Sequence, residues 1–359
     1  MASKVVRSLH AHKSGCSTSL RAYASVAGTP RPSASSPNSP FIVFDRDVKR
    51  LQRNRAASDK ERSRLTDYVK EEVAANMVDR LLDIKRRFPA VLDIGSGPGF
   101  IKEHLDPEIT QKLIMTDSAG KSGMHTLWWA LLTFAPLEIM LFRDADLESE
   151  VPIERVVCDE EDLPFEENSQ DAIMSCLSLH WVNDLPGTLV QIRRILRPDG
   201  VFIGSMFGGD TLFELRTALQ LAEVEREGGF SPRISPMTNS QSVTSLLNRA
   251  GFSLSTVDVD EIQIRYPSIY ELVDDLKWMG ESNAVITRRT HMSRDTLLAA
   301  ASIYKEMHGL EDGSIPATFQ IMHMIGWKPS PNQQKPAKRG SGKINLGDAL
   351  GDGTQKPLK

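Results

Sequence analysis

Short apolar runs alternate with longer stretches of helical period along most of this chain. Val91-Leu92-Asp93-Ile94, Lys112 to Asp117, Val151 to Cys158, Asp171 to Cys176 and Val201 to Met206 each read as a buried strand. Between them Leu185, Leu189, Ile192 and Leu196 form one apolar stripe, with Asn183 or Asp184 placed to cap the helix and Pro186 in its first turn. Arg197-Pro198-Asp199-Gly200 is a turn signal before the fifth strand. Upstream, residues 45–87 read as helix, with Tyr68, Val73, Met77, Val78 and Leu81-Leu82 as apolar contacts and an Arg/Lys excess on a solvated face. A helix begins over 97–105, with His104 on its surface. Downstream, residues 211–227, 242–250, 269–279 and 294–307 carry helical patterns, and Gly251 is placed as a C-cap. Leu254 to Tyr266 and Pro316 to Trp327 read as further strands. Strands alternating with helices predict an α/β fold with a mostly parallel sheet covered on both faces.

Chemistry enters at the ends of the first three strands. The first strand runs into Gly95-Ser96-Gly97-Pro98-Gly99, where glycines let the backbone take positive φ and a ligand approach closely. The next helix start offers free N–H groups to a polar ligand end. Asp117 closes the second strand, and Asp159-Glu160 follow the third. Open α/β sheets bind ligands at this carboxyl edge. The G-x-G-x-G spacing differs from the dinucleotide pattern and suits a compact nucleoside with an amino-acid tail. Asp93 would help place the loop and the cationic tail, Asp117 would take the ribose hydroxyls, and Asp159 the adenine amino group. The ligand predicted is S-adenosylmethionine, with Asp93, Gly95, Gly97, Gly99, Asp117, Asp159 and Glu160 as its residues. His180 and Trp181, after the fourth strand, and Asp210, after Gly208-Gly209, are the catalytic candidates.

Composition narrows this. The formal net charge of -4 gives no reason to expect a nucleic-acid partner. Cys16, Cys158 and Cys176 form no CxxC pair, so neither a disulfide framework nor a cysteine zinc site is expected, and the last two read as buried thiols. No pair of histidines with a carboxylate stands out as an iron site, and no metal ligands are assigned. Residues 1–44 lack Asp and Glu and carry Lys4, Arg7, Lys13, Arg21 and Arg31 among serines and alanines, which predicts an organelle import peptide and linker. Residues 329–359 are rich in Pro, Gly, Gln and Lys and are expected to be a disordered tail.

The strand-end acids and the glycine loop resemble the class I S-adenosylmethionine-dependent methyltransferases, with their Rossmann-like seven-stranded sheet. Leu163-Pro164-Phe165, His180-Trp181 and Leu196 to Gly200 resemble the subgroup containing the methyltransferases of biotin and ubiquinone synthesis. Phe44-Asp45-Arg46-Asp47, Ser178 to Pro186, Met206 to Leu212, Glu225 to Pro232 and Ile325-Gly326-Trp327 are similar to a narrower family, mitochondrial arginine hydroxylases that assemble respiratory complex I. That resemblance covers roughly residues 41–328. It implies a methyltransferase-like domain over 45–328, with a binding core at 88–210 and a helical insert and C-terminal part at 211–328. It implies hydroxylation of an arginine on a core peripheral-arm subunit, together with other assembly factors, at the matrix side of the inner membrane. An arginine-bearing substrate, as the resemblance implies, would favour carboxylates or aromatic faces, which makes Asp210, Glu214 and Trp181 candidates for meeting it, and Arg226 and Arg233 could contact a protein substrate. The oxidant stays unassigned. Two alternatives remain from the residues: a methyltransferase acting on a small carboxylate or carrier-bound acyl group, and a non-catalytic assembly chaperone.

One segment departs from the pattern. About twenty residues near Gly120 to Met140, with Leu127-Trp128-Trp129 and Leu131-Leu132, intervene between the second and third strands. The stretch is too short and interrupted for a membrane span, which leaves a buried helix, a peripheral membrane contact or an extraneous insertion. Thr116-Asp117-Ser118-Ala119 would join Met140-Leu141-Phe142 sensibly without it, so the segment reads as unspliced or misassigned. Transcript sequencing is expected to find the dominant message without it; a dominant message encoding the whole segment would refute this.

Overall fold

The computed structural model describes residues 42–118, 143, 144, 147, 149–333 and 339–341. The expected import peptide up to residue 41, the apolar insertion at 120–140 and most of the expected tail lie outside the described residues.

Seven strands form one sheet in the order β3-β2-β1-β4-β5-β7-β6. β1 (Val91–Ile94), β2 (Leu113–Asp117), β3 (Ile153–Val157), β4 (Gln170–Cys176) and β5 (Leu196–Phe207) pair in parallel. β7 (Ile315–Trp327) runs antiparallel to both β5 and β6 (Ser253–Tyr266). This is the class I methyltransferase fold, mostly parallel as expected, with β7 as its single reversed strand. The chain order passes from β3 back across β1 to β4, so the switch point lies between β1 and β4, where ligand crevices form.

Period-two alternation divides each strand between two cores. Val91, Val201 and Ile203 pack with Met77, Leu81, Ala218 and Tyr304 on one face. Leu92, Ile94, Ile173 and Phe202 pack with Ile192 and Leu247 on the other. The first face is covered by α3 (Tyr68–Leu82), α5 (Phe213–Glu227), α7 (Ile269–Trp278) and α8 (Arg294–His308); the second by α4 (Leu185–Ile195) and α6 (Ser240–Ala250). Each fully buried Leu, Ile or Phe contributes about 1.5–3 kcal/mol. Asp184 caps α4 by accepting from Gly187 N at 2.9 Å, and Gly251 ends α6 in the left-handed region at φ 85.

Three local expectations are corrected. The helix read over 45–87 is three: α1 (Arg46–Ala57), α2 (Lys60–Leu65) and α3. Asp59 restarts the chain by accepting from Arg62 N at 3.1 Å, as Asp45 starts α1 by accepting from Val48 N at 3.0 Å. The helix read over 97–105 shrinks to a 3-10 turn at Phe100–Glu103. Asp106 ends it, its carboxylate accepting from Glu108 N and Ile109 N ahead of a non-helical run. The turn read at Arg197–Gly200 lies inside β5 as a register shift against β4, with Asp199 at φ 65. Among the described residues no helix is long and apolar enough to cross a membrane.

Candidate functional site

The loop after β1 has the strained backbone its glycines predict, with φ of 65 at Gly95, 56 at Gly97 and 101 at Gly99. Asp93 is completely buried, and neither carboxylate oxygen finds a partner among the described residues. Burial, with Asp117 nearby, pushes its carboxyl well above the usual range. Asp117 is 2% exposed and its Oδ2 is likewise unpartnered. Orphaned buried carboxylate oxygens beside an open-backbone loop call for a donor-rich, cationic ligand. The chemistry of the donor set therefore fits S-adenosylmethionine.

The other side of that site is built by α1. Arg46, Lys49 and Arg53 recur at helical spacing and turn one face of the helix inward. Lys49 is 2% exposed. Sequence reasoning had read these cations as a solvated face, and this is the main correction. Arg53 donates to Asp117 Oδ1 at 3.2 Å, to Glu160 Oε1 at 3.3 Å and to Ser178 Oγ at 3.1 Å. Arg46 donates to Asp159 Oδ1 at 2.8 Å, to the carboxylate of Glu160 and to the Trp181 carbonyl at 3.2 Å. The acids assigned to ribose and adenine are thus already held by two guanidinium groups. Asn183 fastens the start of this segment, accepting from Val43 N at 2.9 Å and Phe44 N at 2.8 Å.

Glu160 shows what the clamp does electrostatically. Burial alone would raise its carboxyl, but Arg46 and Arg53 override that and hold it near about 2. Asp117 shares Arg53, and burial pushes it up instead. A depressed carboxylate stabilises the fold above its unfolded pKa, and that stability disappears as pH falls through the folded value. Stability is therefore expected to drop between about pH 5 and 2, partly offset by Asp117, whose shift has the opposite sign. Glu160→Gln should flatten this drop in urea-unfolding midpoints measured across that range. An unchanged acid profile would remove Glu160 from the clamp.

His180 and Trp181 follow β4 in a 3-10 turn, both buried. Their polar atoms meet Glu281, just beyond α7. Trp181 Nε1 donates to Glu281 Oε2 at 2.8 Å, and His180 Nε2 lies 3.3 Å from the same oxygen. Lys70 lies 2.8 Å from Glu281 Oε1. Burial keeps His180 neutral by lowering its pKa, so Nε2 carries the donated hydrogen and Nδ1 is left unpartnered. Lys49 Nζ sits 3.3 Å from the Trp181 ring centroid and donates to the Gly280 and Ser282 carbonyls at 3.0 and 2.8 Å, and burial pushes its pKa well below the usual lysine range. A cavity of about 440 Å³ opens beside Trp181 and Glu281, with Gln52, Phe207, Asn283 and Phe319 in its wall.

Of the remaining candidates only Arg233 lies in the wall of that cavity. Asp210 is exposed, accepts from Gln320 Nε2 at 3.2 Å, and is not in the wall of that cavity. Glu214 is buried against β7, accepting from Thr318 Oγ1 at 2.5 Å. Arg233 braces a loop through Glu223 at 2.6 Å, and Arg226 is exposed beside Glu225. His104 is exposed, while Cys158 and Cys176 are buried, their thiols pushed up to about 12 by burial. Among the described residues no group of three His, Cys, Asp or Glu is arranged to hold a metal. Lys49, Gln52, Arg53 and Glu281 were missed from sequence. The only signal for the α1 residues was their inward spacing on a helix that also buries Ala56.

A methyltransferase domain family matches residues 92–204. A Mus musculus protein named arginine-hydroxylase NDUFAF5, mitochondrial, is 50% identical over 322 residues, spanning 90% of this chain and 88% of its own length. The Dictyostelium discoideum protein of that name is 40% identical, over 87% of this chain and 71% of its own. A malonyl-[acyl-carrier protein] O-methyltransferase from Gallionella capsiferriformans is 28% identical, over 81% and 93%. With half its residues shared along nearly its whole length, the chain belongs to the mitochondrial arginine-hydroxylase NDUFAF5 family, built on a methyltransferase domain.

Proposed function

We propose that this protein hydroxylates an arginine of a core peripheral-arm subunit of mitochondrial complex I, with other assembly factors, on the matrix side of the inner membrane. The observation that carries this is the 50% identity across 90% of the chain with proteins named for arginine hydroxylation. The buried carboxylate and aromatic groups at Glu281, His180 and Trp181 are chemically suited to a cationic side chain.

S-adenosylmethionine fits the glycine loop and strand-end acids as a ligand and, when bound, supplies an activated methyl group. The residues of the chain would act on it by position. Backbone groups of Gly95 to Gly99 would receive its amino-acid end beside Asp93, Asp117 would take hydroxyls, and Asp159 or Glu160 would meet the base. Holding reactants in place is the main contribution such a site makes.

A second reading, methyl transfer to a carboxylate or a carrier-bound acyl group, is favoured by the malonyl-[acyl-carrier protein] O-methyltransferase relative. Mass separates the readings. Incubated with complex I peripheral-arm subunits, a hydroxylase adds about 16 Da to one arginine, a methyltransferase adds about 14 Da to its acceptor, and a chaperone adds neither. The expected result is the oxygen mass, missing from the same subunit isolated from cells without this protein. An unmodified arginine in normal cells would refute the hydroxylase reading.

A further inference from the structure

The cavity beside Trp181 is walled mainly by hydrocarbon. Phe207 and Phe319 from the sheet, Leu215 and Leu219 from α5, Leu276 from α7 and Met292 line its volume of about 440 Å³. Protein interiors leave few voids larger than a water molecule. A space of this size lies in the range of ligand pockets, which are mostly apolar with a few polar groups that fix orientation. A second hollow of about 450 Å³, with Val43, Phe230 and Pro236 in its wall, adjoins it across Leu219 and Ile234, which line both. The polar part of the first wall is cationic. Glu281 is its one carboxylate among the described residues, and Lys70 matches that charge at 2.8 Å. Three arginines share the wall, and they are not equivalent. Arg233 is fully engaged: its Nε donates to Glu223 at 2.6 Å, and its terminal nitrogens donate to the Arg289 and His291 carbonyls at 3.1 and 3.0 Å. It pins the segment that carries the other two. Arg289 is paired with Glu227. Arg288 donates to the Val285 carbonyl at 2.8 Å, and the acid that faces it, Asp45, is 3.7 Å away, beyond hydrogen-bond reach. Its side chain is 17% exposed, and most of its five N–H donors have no protein acceptor among the described residues.

We propose that this cavity binds an alkyl carboxylate, with its chain among Phe207, Leu215, Leu219, Leu276 and Phe319 and its head on the guanidinium of Arg288. Each methylene taken from water into the apolar wall favours binding, and the adjoining hollow makes the apolar space elongated, which suits a flexible chain. A carboxylate matches a guanidinium because two parallel N–H donors meet its two oxygens. A cationic head would be repelled by the arginines, and a neutral head would leave the charge of Arg288 uncompensated. Asp45 is the competitor for the head. Its Oδ2 faces Arg288 while its Oδ1 accepts from Val48 N at 3.0 Å as the cap of α1. The ligand is held rather than changed, so the proposal requires no reaction and is independent of both activities considered above.

The test uses the full-length protein and titration calorimetry with hexanoate, octanoate and decanoate, all below their micelle concentrations, with octanol and octylamine as head-group controls. Octanoate is expected to bind about tenfold tighter than either control, and each two-methylene extension should tighten binding by about fivefold or more. Arg288→Met should weaken octanoate by about tenfold and leave octanol unchanged. Asp45→Asn, which keeps a capping side chain and removes the competing charge, should tighten octanoate. Leu276→Trp, which fills the cavity, should abolish binding of all three acids. Equal affinity for octanoate and octanol overturns the proposal, as does octanoate affinity indifferent to both Arg288→Met and Asp45→Asn. If Leu276→Trp loses its near-ultraviolet circular dichroism, chain length decides, and affinity that does not rise from hexanoate to decanoate refutes the cavity. Binding is read without turnover, so its failure leaves the hydroxylase reading standing, and a missing oxygen mass on the subunit leaves this site standing.

Discussion

Glu281→Ala is expected to lower the free energy of unfolding by about 3–5 kcal/mol, the cost of breaking a buried ion pair from one side. The side chain is 5% exposed and is the common acceptor for Lys70, Trp181 and His180. Removing it strands the Lys70 ammonium, itself 11% exposed, with the Met279 carbonyl at 2.7 Å as its remaining acceptor among the described residues. The indole N–H of Trp181 loses its partner as well. Burial opposes the Glu281 charge, but Lys70, His180 and Lys49 outweigh it and hold the carboxyl well below its usual range. Its contribution is complete above the ordinary glutamate pKa of about 4.3 and is lost as pH falls through the folded value. The difference between wild type and variant should therefore shrink in acid. Urea unfolding at pH 7 and at successively lower pH measures both effects. A loss under about 1 kcal/mol at pH 7, the level of a surface pair, would show that the cluster is not the support inferred.

Gly95→Ala is expected to weaken S-adenosylmethionine binding at least a hundredfold, about 2.7 kcal/mol. Gly95 has φ 65, where a Cβ is strained, and the added carbon would land on the Ser178 hydroxyl and crowd Glu160. Both neighbours belong to the Arg53 cluster, so the loop cannot yield without moving the acids behind it. Calorimetry of the loaded and unloaded protein reads the change directly. The double variant Gly95→Ala with Ser178→Gly should recover part of the affinity by removing the collision while keeping the backbone strain. Wild-type affinity in the single variant would place the cofactor elsewhere.

Strand positions were legible because burial on both sheet faces requires short apolar runs, and the alternation of Val91, Leu92 and Ile94 between two cores follows from the pleat. The carboxyl-edge acids were legible for the same reason, since each ends a recognisable strand. What occupies those acids was not. Arg46 meets Asp159 and Arg53 meets Asp117 across 113 and 64 residues, and no local pattern encodes such pairing. Glu281 was invisible because it sits 100 residues from its Trp181 partner, on a segment that reads only as the end of an amphipathic helix. Asp210 misled in the opposite direction: its place after β5 suggested the site, but Gln320 on β7 holds it at the surface. The first break in the N-terminal helical region was written in Asp59, whose cap competes with a continuous helix, whereas the second, at Thr66-Asp67, has no side-chain cap to announce it.

The guanidinium clamp of α1 has a kinetic consequence. A ligand that takes Asp117 Oδ1 or the Glu160 oxygens can load only from the fraction of molecules in which the guanidinium groups holding them have withdrawn, and its apparent affinity falls by that fraction. Because four carboxylate contacts hold the helix down, opening is one concerted event rather than a gradual loosening. The observed loading rate should then level off at high ligand concentration, at a ceiling set by helix release. Added salt should raise that ceiling even as it weakens the final electrostatic contacts.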